Sequence, residues 1–167
     1  LESSRVAILS DNSVTMAIYV LAAMLAHKEV LLLNVHLKPN EIENKLKQLG
    51  VTTVLHSQDR RNQLPDSMCV IEFEPLETIL ADRVLEDTFY WTFNDTDIAS
   101  IINTSATTGQ FKSVPLRLGQ FRAHVQASLE VLVKTAKDNW LMVLPLFHVS
   151  CLSIFMRSLY NGTTITV

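Results

Sequence analysis

The chain is 167 residues long, enough to bury one core and most naturally a single domain. Its formal net charge of −3 argues against nucleic acid as a partner, since Arg60-Arg61 is the single basic doublet and no Lys/Arg run is interleaved with aromatics. Cys69, Cys151 and the five histidines show neither C-x-x-C nor metal-ligand spacing, so reduced thiols, no metal held by side chains and a cytoplasmic globular setting are expected.

Arg5 to Leu9 reads as a strand. Val14 to Ala26 is an apolar helix, too short to cross a bilayer, which takes about 20 apolar residues, and without the basic flank of a signal segment. Asp11, Asn12 or Ser13 caps its start, His27-Lys28 suit its C-terminal dipole end, and a fully buried position between sheets is expected. Val30 to Leu33 is a second strand. Asn40 then opens a helix with Glu43 three residues on, a capping-box-like pair; Ile42, Leu46 and Leu49 line its face and Gly50 ends it. Val51 to Leu55 and Cys69 to Phe73 are further short apolar runs. Between Glu74 and Asp97, acidic residues alternate with Phe89, Tyr90, Trp91 and Phe93, as in a solvated linker that packs one aromatic cluster.

Ile98 to Ile102 is the next strand, and after it comes Thr104-Ser105-Ala106-Thr107-Thr108-Gly109-Gln110-Phe111-Lys112-Ser113-Val114. Val114 to Leu116 suits a short strand beside this turn. Leu118 to Lys134 is helical, with Phe121, Val125, Leu129 and Leu132 on one face. Trp140 to Leu144 is a strand, Leu152 to Tyr160 a helix stopped by Asn161-Gly162, and Thr163 to Val167 a closing strand. Strand and helix alternate throughout. The alternation predicts an α/β fold, a mainly parallel sheet flanked by helices with right-handed crossovers.

The turn at 104–114 carries the most chemistry. Unpaired N–H groups at a strand end face anions, the hydroxyls of Thr104, Ser105, Thr107 and Thr108 donate to phosphate oxygens, Gly109 relieves the backbone, and Lys112 supplies charge. The residues alone leave a second reading open, a polar surface turn. A Walker A loop is excluded, because that motif needs two glycines and Gly109 is the only one here.

The segment resembles the signature loop of the adenylate-forming enzymes, the acyl- and aryl-CoA ligase superfamily, written Ser/Thr-Ser-Gly-Thr-Thr-Gly-x-Pro-Lys-Gly-Val, with eight of eleven positions fitting. Asn139 to Ser150 is similar to the family's second motif, an apolar strand running into Pro-x-Phe/Tyr-His, here Pro145-Leu146-Phe147-His148. Asp97 to Ile101, Leu152 to Ser158, Asp11-Asn12-Ser13 and Leu37 to Glu41 resemble the o-succinylbenzoate–CoA ligases of menaquinone synthesis. The resemblance implies a fragment, part of the large N-terminal domain of an adenylate-forming enzyme. It divides the chain into a first α/β half at 1–73, a linker at 74–97 and a phosphate-loop half at 98–167.

The implied reaction activates a carboxylate, here o-succinylbenzoate, with ATP as an acyl-adenylate and transfers it to CoA. Thr104, Ser105, Thr107, Thr108, Gly109 and Lys112 would hold the β- and γ-phosphates. Phe147, His148, Ser150 and Arg157 would lie at the acyl pocket. From the residues alone His148 is a packed core histidine and Arg157 a structural ion pair; the resemblance turns the first toward gating the pocket and the second toward a substrate carboxylate. Magnesium is implied, with its protein ligand expected beyond residue 167. No catalytic residue is assigned within 1–167, and the isolated chain is expected to be inactive. Partners are the small molecules ATP, an aromatic acid and CoA, with no nucleic acid and no membrane span; homo-oligomerisation is left open.

Four positions depart from the pattern. Ala106 and Ser113 replace glycine and Phe111 replaces proline, while Cys151 stands where glycine commonly follows His-x-Ser. An alanine methyl and a serine side chain in the phosphate path would weaken ATP binding. Two rivals therefore remain: a non-catalytic α/β binding or structural module with a degraded phosphate loop, and another α/β nucleotide-binding protein complete at this length.

Overall fold

The computed structural model describes residues 4–81, 92–104, 112–132, 135 and 137–167, with Thr104 described by its backbone alone. Strand β1 (Arg5–Leu9) leads through Ser10 to helix α1 (Val14–Leu25), whose start is capped by the Ser13 hydroxyl accepting the Met16 N–H at 3.0 Å. The helix buries one face, through Met16, Val20, Ala23 and Met24, and leaves Val14 half exposed, so the expected full burial does not hold. Its outer residues Ala17, Tyr19 and Leu21 are only partly covered. His27 ends the helix in the left-handed region, φ 54°.

Strand β2 (Glu29–Leu32) is followed by α2 (Pro39–Leu49). The capping pair differs from the expected Asn40 and Glu43. Pro39 pre-sets the first turn, Lys38 is the N-cap, and the Glu41 carboxylate accepts the Lys38 N–H at 2.7 Å. Glu43 instead pairs with Lys47 one turn on, at 2.7 Å. Gly50, at φ 62°, closes the helix as a left-handed cap that a Cβ would strain. Strand β3 (Thr53–His56), a 3-10 turn at Gln58–Gln63 and β4 (Cys69–Glu72) complete the first run.

A short α3 (Leu76–Ala81) occupies part of the expected linker; Phe89, Tyr90 and Trp91 lie outside the described residues. Phe93 sits against the His27 ring, centroids 5.5 Å apart, and Phe73 stacks on Tyr19 of α1 at 4.4 Å. Strand β5 (Ile98–Thr104) and β6 (Lys112–Arg117) follow, then α4 (Leu118–Val131), β7 (Asn139–Leu141), α5 (Val149–Asn161) and β8 (Thr164–Thr166).

Six strands form one sheet in the order β4-β3-β1-β2-β5-β6, parallel from β4 through β5 with β6 antiparallel at the edge. Val6 to Leu9 and Val30 to Leu33 are fully buried, as expected of central parallel strands covered on both faces. The β1–α1–β2 crossover steps one way along the sheet and β2–α2–β3 the other. Right-handed crossovers thereby set α1 and α2 on opposite faces. A second, two-stranded parallel sheet pairs β7 with β8.

The α4 stripe is half used: Phe121 and Val125 are buried, whereas Leu129 and Leu132, the latter just past the helix end, stay exposed. Strand β7 stops at Leu141, short of the expected Leu144; the carbonyls of Met142 and Leu144 are taken by a side chain from the first crossover and pair with no strand among the described residues. No helix among the described residues is long and apolar enough to cross a membrane.

Candidate functional site

Parallel strands put all their carboxyl ends on one sheet edge, where open α/β sheets bind ligands. Thr104 is the last residue of β5 and Lys112 the first of β6, and the two are paired across the antiparallel ladder. The described stems β5 and β6 therefore meet beyond the carboxyl end of β5, and residues 105–111 connect them in sequence. Ser105, Thr107, Thr108 and Gly109, and with them Ala106 and Phe111, lie outside the described residues; the stems that carry the loop are described. Lys112 is exposed at that edge.

The stems are anchored from beneath. Asn103 faces its β6 partner Ser113, whose hydroxyl donates to Asn103 Oδ1 at 2.9 Å, and Lys45 from α2 donates to the same oxygen at 2.9 Å. Lys45 is buried, and burial holds its pKa below the usual lysine value, opposed by the Glu41 carboxylate. Ser113 thus turns its side chain onto the sheet face with Asn103, and adjacent residues of a strand face opposite sides. The Ser113 hydroxyl is thus engaged within the hairpin stem. Lys45 was not legible in the sequence, because a lysine inside an amphipathic helix reads as solvated.

The second motif arrives at the same edge by a different route. Asn12, just past β1, donates through Nδ2 to Leu144 O at 2.7 Å and Met142 O at 3.3 Å, and its Oδ1 accepts the Leu146 N–H at 2.8 Å. The turn closes on itself where the His148 N–H donates to Pro145 O at 2.9 Å. Phe147 is buried in the core with its ring 4.7 Å from that of His148, and His148 is exposed as the N-cap residue of α5. Ser150 is exposed in the first turn of α5. β1, β2 and β5 are neighbours in that order, so Asn12, just past β1, and Thr104, the end of β5, belong to strands two positions apart in the sheet.

Arg157 is not brought to His148. It lies nine residues further along α5, about 13 Å at the helical rise. Its guanidinium stacks over the Trp140 ring at 4.8 Å and its Nη2 lies 3.4 Å from His124 Nε2. No carboxylate among the described residues meets it, so the structural ion pair is replaced by an aromatic platform. Arg157 Nε and Trp140 Nε1, two buried donors, both lack an acceptor among the described residues.

Cys151 is a buried free thiol whose pKa is raised by burial, with Asn12 opposing; Cys69 is free and exposed. Asp11 is paired with Arg60, which also meets Asp59 at 3.2 Å. A cavity of about 300 Å³ near His27, Lys28, Glu29 and Asp97 opens at the starts of β2 and β5, the edge opposite the motifs. Among the described residues no three His, Cys, Asp or Glu side chains gather as a cation site.

Comparison with known proteins gives the family to which the chain is similar. The profile of the AMP-binding enzyme family matches residues 2–167. The chain is 46% identical over 164 residues to the 2-succinylbenzoate–CoA ligase of Lactococcus lactis subsp. lactis, covering 98% of this chain and 35% of the relative. It is 31% identical over 188 residues to that of Staphylococcus aureus (strain Newman), covering 99% and 38%. The chain thus spans a little over a third of the length of these relatives. Among solved structures it is similar to O-succinylbenzoate coenzyme A synthetase from Bacillus subtilis in complex with AMP, with TM-score 0.83, 27% identity and coverage of 96% of this chain and 42% of the other. The same synthetase in complex with ATP and magnesium ion gives TM-score 0.81 and 26% identity, covering 98% and 43%.

Proposed function

The chain belongs to the AMP-binding enzyme family, and on that premise we propose that the protein it is part of is an ATP-dependent, AMP-forming acid–CoA ligase acting on o-succinylbenzoate in menaquinone synthesis. The observation that carries the reading is the hairpin at the carboxyl end of β5, with Lys112 at its mouth and the Phe147-His148 turn in the neighbouring position on the same edge.

In the first half-reaction a carboxylate oxygen attacks the α-phosphorus of ATP, forming the acyl-adenylate and releasing pyrophosphate. In the second, the CoA thiolate attacks the acyl carbon and AMP leaves. Residues 104–112 hold the β- and γ-phosphates: the hydroxyls of Thr104, Ser105, Thr107 and Thr108 donate, Gly109 admits close approach, and Lys112 neutralises charge that grows on the leaving group. Phe147, His148 and Ser150 border the acid. Arg157, on its Trp140 platform with a buried Nε–H that meets no acceptor among the described residues, is the candidate counter-charge for the second carboxylate of a dicarboxylic acid. Magnesium would supply charge neutralisation at the phosphates; no group of three His, Cys, Asp or Glu side chains among the described residues fits it. The enzyme is placed in the cytoplasm, where ATP and CoA are at hand.

The test is ATP–pyrophosphate exchange by the full-length protein with o-succinylbenzoate. Exchange dependent on this acid, and reduced by about 2 to 4 kcal/mol of transition-state stabilisation in Lys112→Ala, supports the reading. Exchange that is absent, together with no ATP binding, supports instead a non-catalytic module, the reading favoured by Ala106 and Phe111.

A further inference from the structure

We propose that Asn12 is the positioning residue of the acid pocket: its carboxamide sets the Pro145–His148 turn at a fixed place relative to the phosphate loop. The proposal rests on the ligase reading above. Three bonds from one side chain reach one turn, with Nδ2 donating to Leu144 O and Met142 O and Oδ1 accepting from Leu146 N–H. An amide alone among short side chains offers two donors and an acceptor together.

The turn needs this support because its own ladder ends early. At one end Met142 N–H donates to Thr166 O at 2.9 Å, and at the other His148 O accepts the first α5 bond, from Leu152 N–H at 3.0 Å. Between them Val143 and Leu144 are exposed, and Pro145 has no N–H to give. Asn12 is the tie among the described residues that refers this middle stretch to β1. Since β1, β2 and β5 share one register, holding the turn on β1 also sets its distance from the hairpin after β5. The two ends of the reacting pair, the acid's carboxylate and the α-phosphorus, would then owe their alignment to a residue outside both motifs. Misplacement by about 1 Å is enough to cost on the order of a hundredfold in rate.

The experiment compares Asn12→Ala and Asn12→Asp with the wild type in the full-length protein. The aspartate keeps shape and size but has no donor and sets a carboxylate against two carbonyl oxygens. Pyrophosphate exchange is measured against o-succinylbenzoate and against ATP, and hydrogen exchange is followed at the Leu146 amide. Both variants are expected to lower kcat and to raise the KM for the acid, about tenfold or more in each case, while the KM for ATP stays within about twofold, and in Asn12→Ala the Leu146 amide exchanges faster. Wild-type acid KM in both variants overturns the proposal. So does an equal loss for acid and ATP together with a lowered unfolding midpoint, which assigns Asn12 to the fold alone. If the wild type shows no acid-dependent exchange, the ligase reading falls and the acid-pocket role with it, while Leu146 exchange still reports whether Asn12 holds the turn.

Discussion

Ser113 stands where the family pattern has glycine, and the structure gives its side chain a use: the hydroxyl donates to Asn103 Oδ1 across the hairpin stem. Ser113→Gly removes that bond and adds backbone freedom inside a strand. We expect it to cost about 0.5 to 1.5 kcal/mol of stability, read as the urea midpoint, and to leave ATP affinity unchanged. A rise in ATP affinity would mean that the serine does crowd the phosphates. Gly119 has the opposite character. It lies in the first turn of α4, and an added Cβ would come 2.8 Å from Asp95 Cβ and 3.0 Å from Asp95 O, the carbonyl its own N–H already bonds at 3.0 Å. Backbone cannot step aside as a flexible side chain can, so Gly119→Ala is expected to destabilise by about 1 to 3 kcal/mol in the same measurement.

At the scale of elements, α2 carries the most testable feature. Lys45 is buried against the β5–β6 stem, and its pKa lies below the usual value because burial disfavours the ammonium. Between the lowered folded pKa and the ordinary value of the unfolded chain, the unfolded state binds more protons. Stability therefore rises with pH through that window, and the charge penalty is fully present only below the lowered folded pKa. Lys45→Met should lack this alkaline rise. The difference between the two urea-midpoint profiles from pH 7 to 10.5 isolates the lysine, because other groups titrate alike in both; parallel profiles would sink the assignment. Asn103 Oδ1 keeps the Ser113 donor in the variant, so no acceptor is orphaned by the change. Helix α4 shows how far a periodic stripe can be trusted. Its spacing was legible over Phe121, Val125, Leu129 and Leu132, yet burial extends only to Val125, since periodicity states which face is apolar and not how long the neighbour is.

For the whole molecule, one sheet edge gathers the β5–β6 hairpin and the Asn12-held turn, while the chain spans a little over a third of its relatives' length. Holding phosphates at one point and bordering the acid at another does not complete an adenylation site. The isolated 167-residue chain is accordingly expected to form no acyl-adenylate. ATP–pyrophosphate exchange with o-succinylbenzoate above a Lys112→Ala control, measured on this chain alone, would contradict that.

The sequence by itself determined the elements and their punctuation. Strand β1 was legible in full, the glycine stops at Gly50 and Gly162 both adopt φ 62°, and the order of hydroxyl loop and aromatic-His turn identified the family's two motifs. Such features are set by contacts within a few residues, where propensity, periodicity and capping act. Tertiary structure alone decided that β5 lies on β2, that Lys45 reaches Asn103 58 positions away, and that Asn12 reaches the Leu144 carbonyl across 132 positions. A side-chain amide has the same hydrogen-bonding capacity wherever it stands. Which carbonyls it meets follows from strand order, register and the hand of the crossovers, and these are settled only when the whole sheet packs.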